Sequence, residues 1–212
     1  MLPKDKAVLS GSPIRAELLS GDREKGLRFA GLTGEKPVLL MIGGSLGALK
    51  LNVALREALP ELLKRFDVIH LTGKGKLDES LKGTPGYVQY EFISRELKDL
   101  FALTDIVLSR SGANAICELL YLQKPALLVP LPLDASRGDQ ILNARSFEKQ
   151  GFSRMIAQEE LTSERLVREL LTLYEEREKY KAAMRGSNQS DAVAYLCDQI
   201  EEVAGKAEGG LA

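Results

Sequence analysis

Three short stretches of this 212-residue chain put small and hydrogen-bonding residues where an apolar run gives way to a helical pattern. The first is Gly43-Gly44-Ser45-Leu46-Gly47. Its glycines would let backbone N–H groups approach a diphosphate, whose charge the dipole of the following helix favours. The same letters match G-x-S-x-G, which would make Ser45 a nucleophile, and they also suit a plain tight turn. A serine nucleophile of that kind needs a histidine late in the chain with an acid in between. The only histidine, His70, falls on the very next strand. The hydrolase is therefore the remote reading, and His70 reads as a packed strand residue.

The second stretch, Ser111-Gly112-Ala113-Asn114, repeats the logic at another helix start, where an anion or sugar could come close to free N–H groups. Glu118 lies off the apolar line of Ile116, Leu119 and Leu120. A carboxylate there could accept two ribose hydroxyls, or simply face solvent. The third stretch, residues 136–143, gathers Asp139, Gln140 and Asn143, which suit sugar hydroxyls or an ordinary capped surface helix. G-x-G-x-x-G is absent, no acid ends the second strand, and Lys74-Gly75-Lys76 is not a P-loop, which argues against dinucleotides and nucleoside triphosphates. With no Asp-x-Asp pair, neither a divalent metal nor a cofactor is expected; helix starts and Arg15 would neutralise a diphosphate.

These stretches need elements to carry them to one place. Apolar runs at residues 37–42, 67–71, 87–92, 105–108, 125–129 and 152–156 read as strands, with a further short one at 7–10. They are continuous rather than alternating, which signals burial on both faces and hence a parallel sheet under helices. A long helical pattern follows the glycine loop, with Leu49, Val53, Leu59, Leu62, Leu63 and Phe66 inward. Others cover 94–103, with Leu97, Leu100 and Phe101 inward, then 113–122, 137–150, 163–184 and 190–203. About six parallel strands alternating with helices make a doubly wound, Rossmann-like α/β domain, whose ligands bind at the carboxyl edge of the sheet. The EEREKYK run at 175–181 is expected as a solvated helix face, and the last eight residues as a frayed tail. Residues 1–24 read as a linker, so the chain is expected to be one part of a two-part protein.

Hydrophobic residues make up 44% of the chain and charged residues 28%, with a net charge of −1. Lys and Arg are scattered among Glu and Asp, so no nucleic-acid partner is expected. Cys117 and Cys197 form neither a CxxC pair nor a Cys/His cluster and read as reduced core cysteines. No apolar run approaches the ~20 residues of a membrane span and no signal-peptide core is legible, so a soluble, cytoplasmic chain is expected.

Taken together, GSPIR, GGSLGALKLN, SRSGANAICE and DASRGDQILNA closely resemble the C-terminal half of the MurG family of N-acetylglucosaminyltransferases, over nearly the whole chain from Pro3 to Val203. The resemblance implies one Rossmann-like half of a GT-B fold, the half that binds UDP-GlcNAc. It implies inverting transfer of GlcNAc to lipid I, giving lipid II, by a protein peripheral on the cytoplasmic face of the cell membrane. Carried over by motif, Arg15 would lie near the nucleotide or diphosphate at a hinge, and Ser45, with Gly43, Gly44 and Gly47, would meet the diphosphate. Ile93 would contact uracil through its backbone. Ala113, Asn114 and Ala115 would sit by the α-phosphate, and Glu118 would take the ribose hydroxyls. Gln140 and Asn143 would read the GlcNAc hydroxyls, with Asp139 beside them. Residues 1–24 would be the hinge, 25–187 the donor domain, 188–205 a helix packed on an N-terminal domain, and 206–212 a tail. The general base and the lipid I site would belong to that N-terminal half, so this chain would bind donor without transferring it unless a separate chain completes the site. A related UDP-GlcNAc 2-epimerase, the donor subunit of a split glycosyltransferase and a ligand-free interaction module stay open beside this reading.

Overall fold

The computed structural model describes residues 10–43, 48–187 and 192–209. They divide into two compact units, Ala16–Gly186 and a smaller one drawn from the two ends of the chain. In the larger unit six strands form one sheet: β1 (Val38–Ile42), β2 (Asp67–Leu71), β3 (Tyr87–Tyr90), β4 (Ile106–Ser109), β5 (Ala126–Leu128) and β6 (Ser153–Met155). Their order is β3-β2-β1-β4-β5-β6, and every pairing is parallel. This is the doubly wound order in which the chain turns back on itself between β1 and β4.

The helices are α1 (Arg23–Ala30), α2 (Leu49–Leu62), α3 (Leu97–Leu103), α4 (Ala113–Tyr121), α5 (Asp139–Lys149), α6 (Ser163–Glu175) and α7 (Arg177–Arg185), with α8 (Ala192–Gly209) in the smaller unit. Strand β1 shows why the sheet lies between helices. Leu39 and Met41 pack with Leu51, Leu55 and Leu59 of α2 and Leu166, Leu170 and Leu173 of α6. Val38 and Leu40 pack on the opposite face with Leu100 and Leu103 of α3 and Ile116 and Leu119 of α4. A strand whose two faces are both covered must be apolar at every position, and β1 is.

Several elements differ from the sequence reading. Helix α1 falls partly inside the stretch read as linker. Its composition is mostly polar, but Asp22 caps it by accepting from Lys25 N (3.1 Å), and Gly31 ends it at φ 65°. It docks because Asp22 N donates to Asp99 Oδ1 (2.8 Å) and Arg23 Nη1 to Leu103 O (3.0 Å), contacts that only the folded chain assembles. On α2, Leu49 and Val53 are exposed at 64% and 46%, so their inward assignment is wrong. The buried stripe runs Leu51, Asn52, Leu55, Ala58, Leu59 and Leu62 instead, because Asn52 is drawn inward by polar partners described below.

Strand β3 ends at Tyr90, leaving Phe92 exposed. The 163–184 helix is two helices: the chain breaks at Glu176, where Arg177 Nη1 donates to Tyr174 O (2.9 Å) and its guanidinium lies 4.2 Å over the Tyr174 ring. Tyr180 is buried, so the acidic and basic run around it is not simply a solvated face. Helix α8 continues to Gly209 rather than stopping at Val203. Cys117 is half-buried and Cys197 exposed, both as free thiols, so the second is not a core residue. The strand expected at 7–10 lies outside the described residues except for Ser10, which is not in a strand. Among the described residues no helix is long and apolar enough to cross a membrane.

Candidate functional site

The turn-back between β1 and β4 puts the helices after these two strands on opposite faces, opening a crevice at the carboxyl edge of the sheet. Helices α2 and α4 begin beside it, and α5 follows the neighbouring strand β5. Among the described residues none of these three has a side chain capping its start: the N-cap residues are Ala48, Gly112 and Gly138. By contrast, α1 is capped by Asp22 and α6 by Thr162. The first N–H groups of a helix are orphan donors, so starts left without a side-chain acceptor suit an anion or a hydroxyl.

Two of the expected site residues, Gln140 and Asn143, are joined to the start of α4 through Ser111. Ser111, fully buried between β4 and α4, donates from Oγ to Gln140 O (2.8 Å). In return Asn143 Nδ2 donates to Ser111 O (3.0 Å), and Gln140 Oε1 accepts from Leu131 N (3.2 Å). The starts of α4 and α5, far apart in sequence, thus become one surface carrying Ala113, Asn114, Gln140 and Asn143. Ala113 and Asn114 are exposed, Ala115 and Glu118 half-buried on α4, and Asp139 exposed on the first turn of α5. Ile93 is buried in the segment between β3 and α3, so its side chain belongs to the core and only its backbone is on offer. Arg15 is exposed and belongs to the smaller unit. Gly43 is described at the end of β1, whereas Gly44, Ser45 and Gly47 lie outside the described residues. The cavity of about 330 Å³ beside edge strand β3, lined by Leu77, Leu81, Tyr87 and Tyr90, contains none of these residues.

Four supporting residues escaped the sequence reading as site residues. Ser109 Oγ donates to Ile42 O (3.1 Å), tying the last residue of β4 to the last of β1, just before the glycine stretch. Asn52 Nδ2 donates to Thr72 O (2.9 Å), anchoring the far side of that stretch to the end of β2. Arg110, buried, donates from Nη1 to Val129 O (2.9 Å) and Pro130 O (3.1 Å), and from Nη2 to Gln158 Oε1 (2.6 Å). Burial lowers its pKa to about 10, so it is still a cation at neutral pH. Among the described residues it has no carboxylate partner, and its guanidinium is held by three oxygens at the end of β5 and at Gln158. Ser109, Arg110 and Ser111 could have been noticed as polar letters closing an apolar strand, whereas Asn52 lies inside α2.

His70 is confirmed as a core residue. Its Nε2 lies 3.1 Å from Asn52 Oδ1 and its Nδ1 2.9 Å from Tyr87 Oη. Because Asn52 Nδ2 is already donating, Oδ1 must accept, which puts the histidine proton on Nε2 and leaves Nδ1 accepting from Tyr87. Burial, with nearby Arg56 adding to it, lowers the pKa to about 3. Both ring nitrogens are occupied, so this histidine cannot serve as the general base of a Ser45 hydrolase. Among the described residues no cluster of His, Cys, Asp and Glu could hold a metal.

The model of the glycosyltransferase family 28 C-terminal domain matches residues 38–199. A relative from Lachnoclostridium phytofermentans, a UDP-N-acetylglucosamine–N-acetylmuramyl-(pentapeptide) pyrophosphoryl-undecaprenol N-acetylglucosamine transferase, is 58% identical over 202 residues, which are 95% of this chain and 57% of the relative. A transferase of the same name from Lachnospira eligens is 52% identical over 201 residues, with the same coverage. The chain therefore spans little more than half the length of these relatives. Among solved structures, Acinetobacter baumannii MurG superposes with a TM-score of 0.70 at 24% identity, over 94% of this chain and 58% of that one. The glycotransferase of kitacinnamycin superposes with a TM-score of 0.69 at 18% identity, covering 93% and 50% of the two chains. This chain belongs to the glycosyltransferase family 28 C-terminal domain family.

Proposed function

We propose that this chain is the donor-binding half of an N-acetylglucosaminyltransferase and holds UDP-GlcNAc at the carboxyl edge of its sheet. The observation that carries this reading is the junction of two uncapped helix starts through Ser111, Gln140 and Asn143 beside the β1–β4 crevice. The relatives' names supply the sugar and the acceptor. In this reading the glycine stretch with Ser45 and the start of α4 at Ala113, Asn114 and Ala115 take the diphosphate. Glu118 accepts the ribose hydroxyls, the backbone at Ile93 meets uracil, and Gln140 and Asn143 read the GlcNAc hydroxyls beside Asp139. The larger unit, Ala16–Gly186, forms the donor domain.

The chemistry assigned to this half is electrostatic. Helix N-termini stabilise the UDP leaving group as charge develops on it, without proton transfer. The general base and the lipid I site belong to an acceptor half, on which residues 188–205 would pack. In support, Val193, Leu196, Ile200 and Val203 of α8 are exposed along one stripe. The complete protein would work at the cytoplasmic face of the membrane.

Calorimetric titration with UDP-GlcNAc, UDP, ADP and UDP-glucose tests this. Binding that requires uracil and prefers GlcNAc is expected. Equal affinity for ADP, or no binding by any of the four, would remove the donor reading.

A further inference from the structure

At the amino edge of the sheet, opposite the donor site, the fold draws cations together. Lys124, just ahead of β5, donates from Nζ to Thr104 O at 2.8 Å. Arg23 of α1 donates from Nη1 to the preceding carbonyl, Leu103 O, at 3.0 Å. Both are held by the carbonyls that end α3, as cations are at a helix C-terminus. Lys181 of α7, itself 3.0 Å from Glu178 Oε1, adds its field, and Asp105, whose Oδ2 accepts from Val38 N at 2.8 Å, opposes it. Lys124 is half-buried. Burial first, then Lys181, with Asp105 opposing and Arg23 adding, lowers its pKa from 10.5 to about 8. About a quarter of this amine is neutral near pH 7.5, roughly two hundred times the fraction in the unfolded chain. A half-buried neutral amine suits a small, uncharged electrophile, and its cationic surroundings favour an anionic product. Carbon dioxide meets both conditions. Acetyl transfer meets neither, since its donor is bulky and its product neutral.

We propose that Lys124 is a modification site that takes up carbon dioxide as a carbamate, setting a carboxylate between Arg23 of α1 and Lys181 of α7. The Nζ lone pair attacks the carbon of carbon dioxide, one C–O π pair moves onto oxygen, and a proton leaves Nζ for solvent. Nothing is oxidised or reduced. The carbamate keeps one N–H for Thr104 O, and its oxygens gain two cations as charge-assisted partners. Carbon dioxide thereby ties α1 and α7 to the amino edge. Because the unfolded amine stays protonated and unreactive, uptake stabilises the folded chain by mass action. The inference is independent of the donor reading.

The test equilibrates the whole chain with isotope-labelled carbon dioxide, fixes adducts with an oxonium alkylating agent and locates them by peptide mass spectrometry. An adduct at Lys124 is expected. It should rise at least about tenfold between about pH 6.5 and about pH 8 at constant dissolved gas, because only the neutral amine reacts. Lys124→Arg keeps a donor for Thr104 O and should lose the adduct. Lys181→Gln should lower it at least about threefold, since it removes a partner of the carbamate and leaves more of the amine protonated. At fixed pH, dissolved carbon dioxide should raise the melting temperature of the unaltered chain but not that of Lys124→Arg.

No adduct at Lys124, or one spread evenly over the exposed lysines, would overturn the proposal. So would an adduct that falls as the pH rises. An adduct at Lys124 that Lys181→Gln leaves unchanged would overturn the part given to the surrounding cations.

Discussion

At the scale of single residues, the buried polar groups decide more than their number suggests. His70 is neutral in the fold because burial lowers its pKa from 6.5 to about 3. Below pH 6.5 the unfolded chain takes up a proton there that the folded chain refuses, so stability is full above that pH and declines as the pH falls toward 3. The loss is about 1.4 kcal/mol per pH unit. Urea unfolding at pH 7, 5 and 4 should show His70→Gln least damaging at the lowest pH; a penalty independent of pH would contradict the assigned state. Arg110 acts differently, as a cation spent on carbonyls. Arg110→Met leaves Val129 O and Pro130 O without their buried donor and should cost about 2–3 kcal/mol, read from denaturant midpoints. Glu118→Ala should weaken UDP binding by about 1.5–3 kcal/mol if its carboxylate takes the ribose hydroxyls. An unchanged UDP affinity would take Glu118 out of the site.

At the scale of elements, capping and close packing separate scaffold from site. A Cβ at Gly26 would lie 2.4 Å from Asp99 O, where α1 crosses α3. Gly26→Ala would gain up to about 1 kcal/mol of helix propensity, but a backbone carbonyl cannot step aside, and overpacking costs about 1–3 kcal/mol. A lower melting temperature is expected, and a higher one would show that α1 can shift. Gly112 is the opposite case, with nothing within 4 Å of an added Cβ and an extended φ of −62°. Gly112→Asp would supply α4 with the cap it lacks, changing stability by only a few tenths of a kcal/mol. The same carboxylate would occupy the proposed diphosphate position, so UDP affinity should fall at least about tenfold by electrostatic repulsion. Retained affinity would place the phosphates elsewhere. That α1 went unread is understandable, since its anchors are Asp99 and Leu103, distant positions that no local pattern names.

At the scale of the whole molecule, the chain spans 57% of its transferase relatives. On the proposed division of labour it should bind UDP-GlcNAc but transfer nothing to lipid I alone, and addition of an acceptor half should restore transfer. Lipid II formation by the isolated chain, followed with labelled sugar, would refute that division.

What the amino-acid sequence determined by itself is what depends on neighbours in the chain. Continuous apolar runs imposed six buried parallel strands, and small and hydrogen-bonding residues after strand ends marked the stretches 43–47, 111–114 and 136–143. The motif residues Ala113, Asn114, Gln140 and Asn143 were legible for the same reason. The tertiary structure alone decided what depends on distant partners. The strand order that opens the crevice between β1 and β4 is one such outcome. The turning of Leu49 and Val53 outward in favour of Asn52 is another, because Asn52 finds Thr72 and His70 on β2. The joining of the start of α5 to the start of α4 through Ser111 is a third, since a hydrogen bond across 29 positions leaves no periodicity to read.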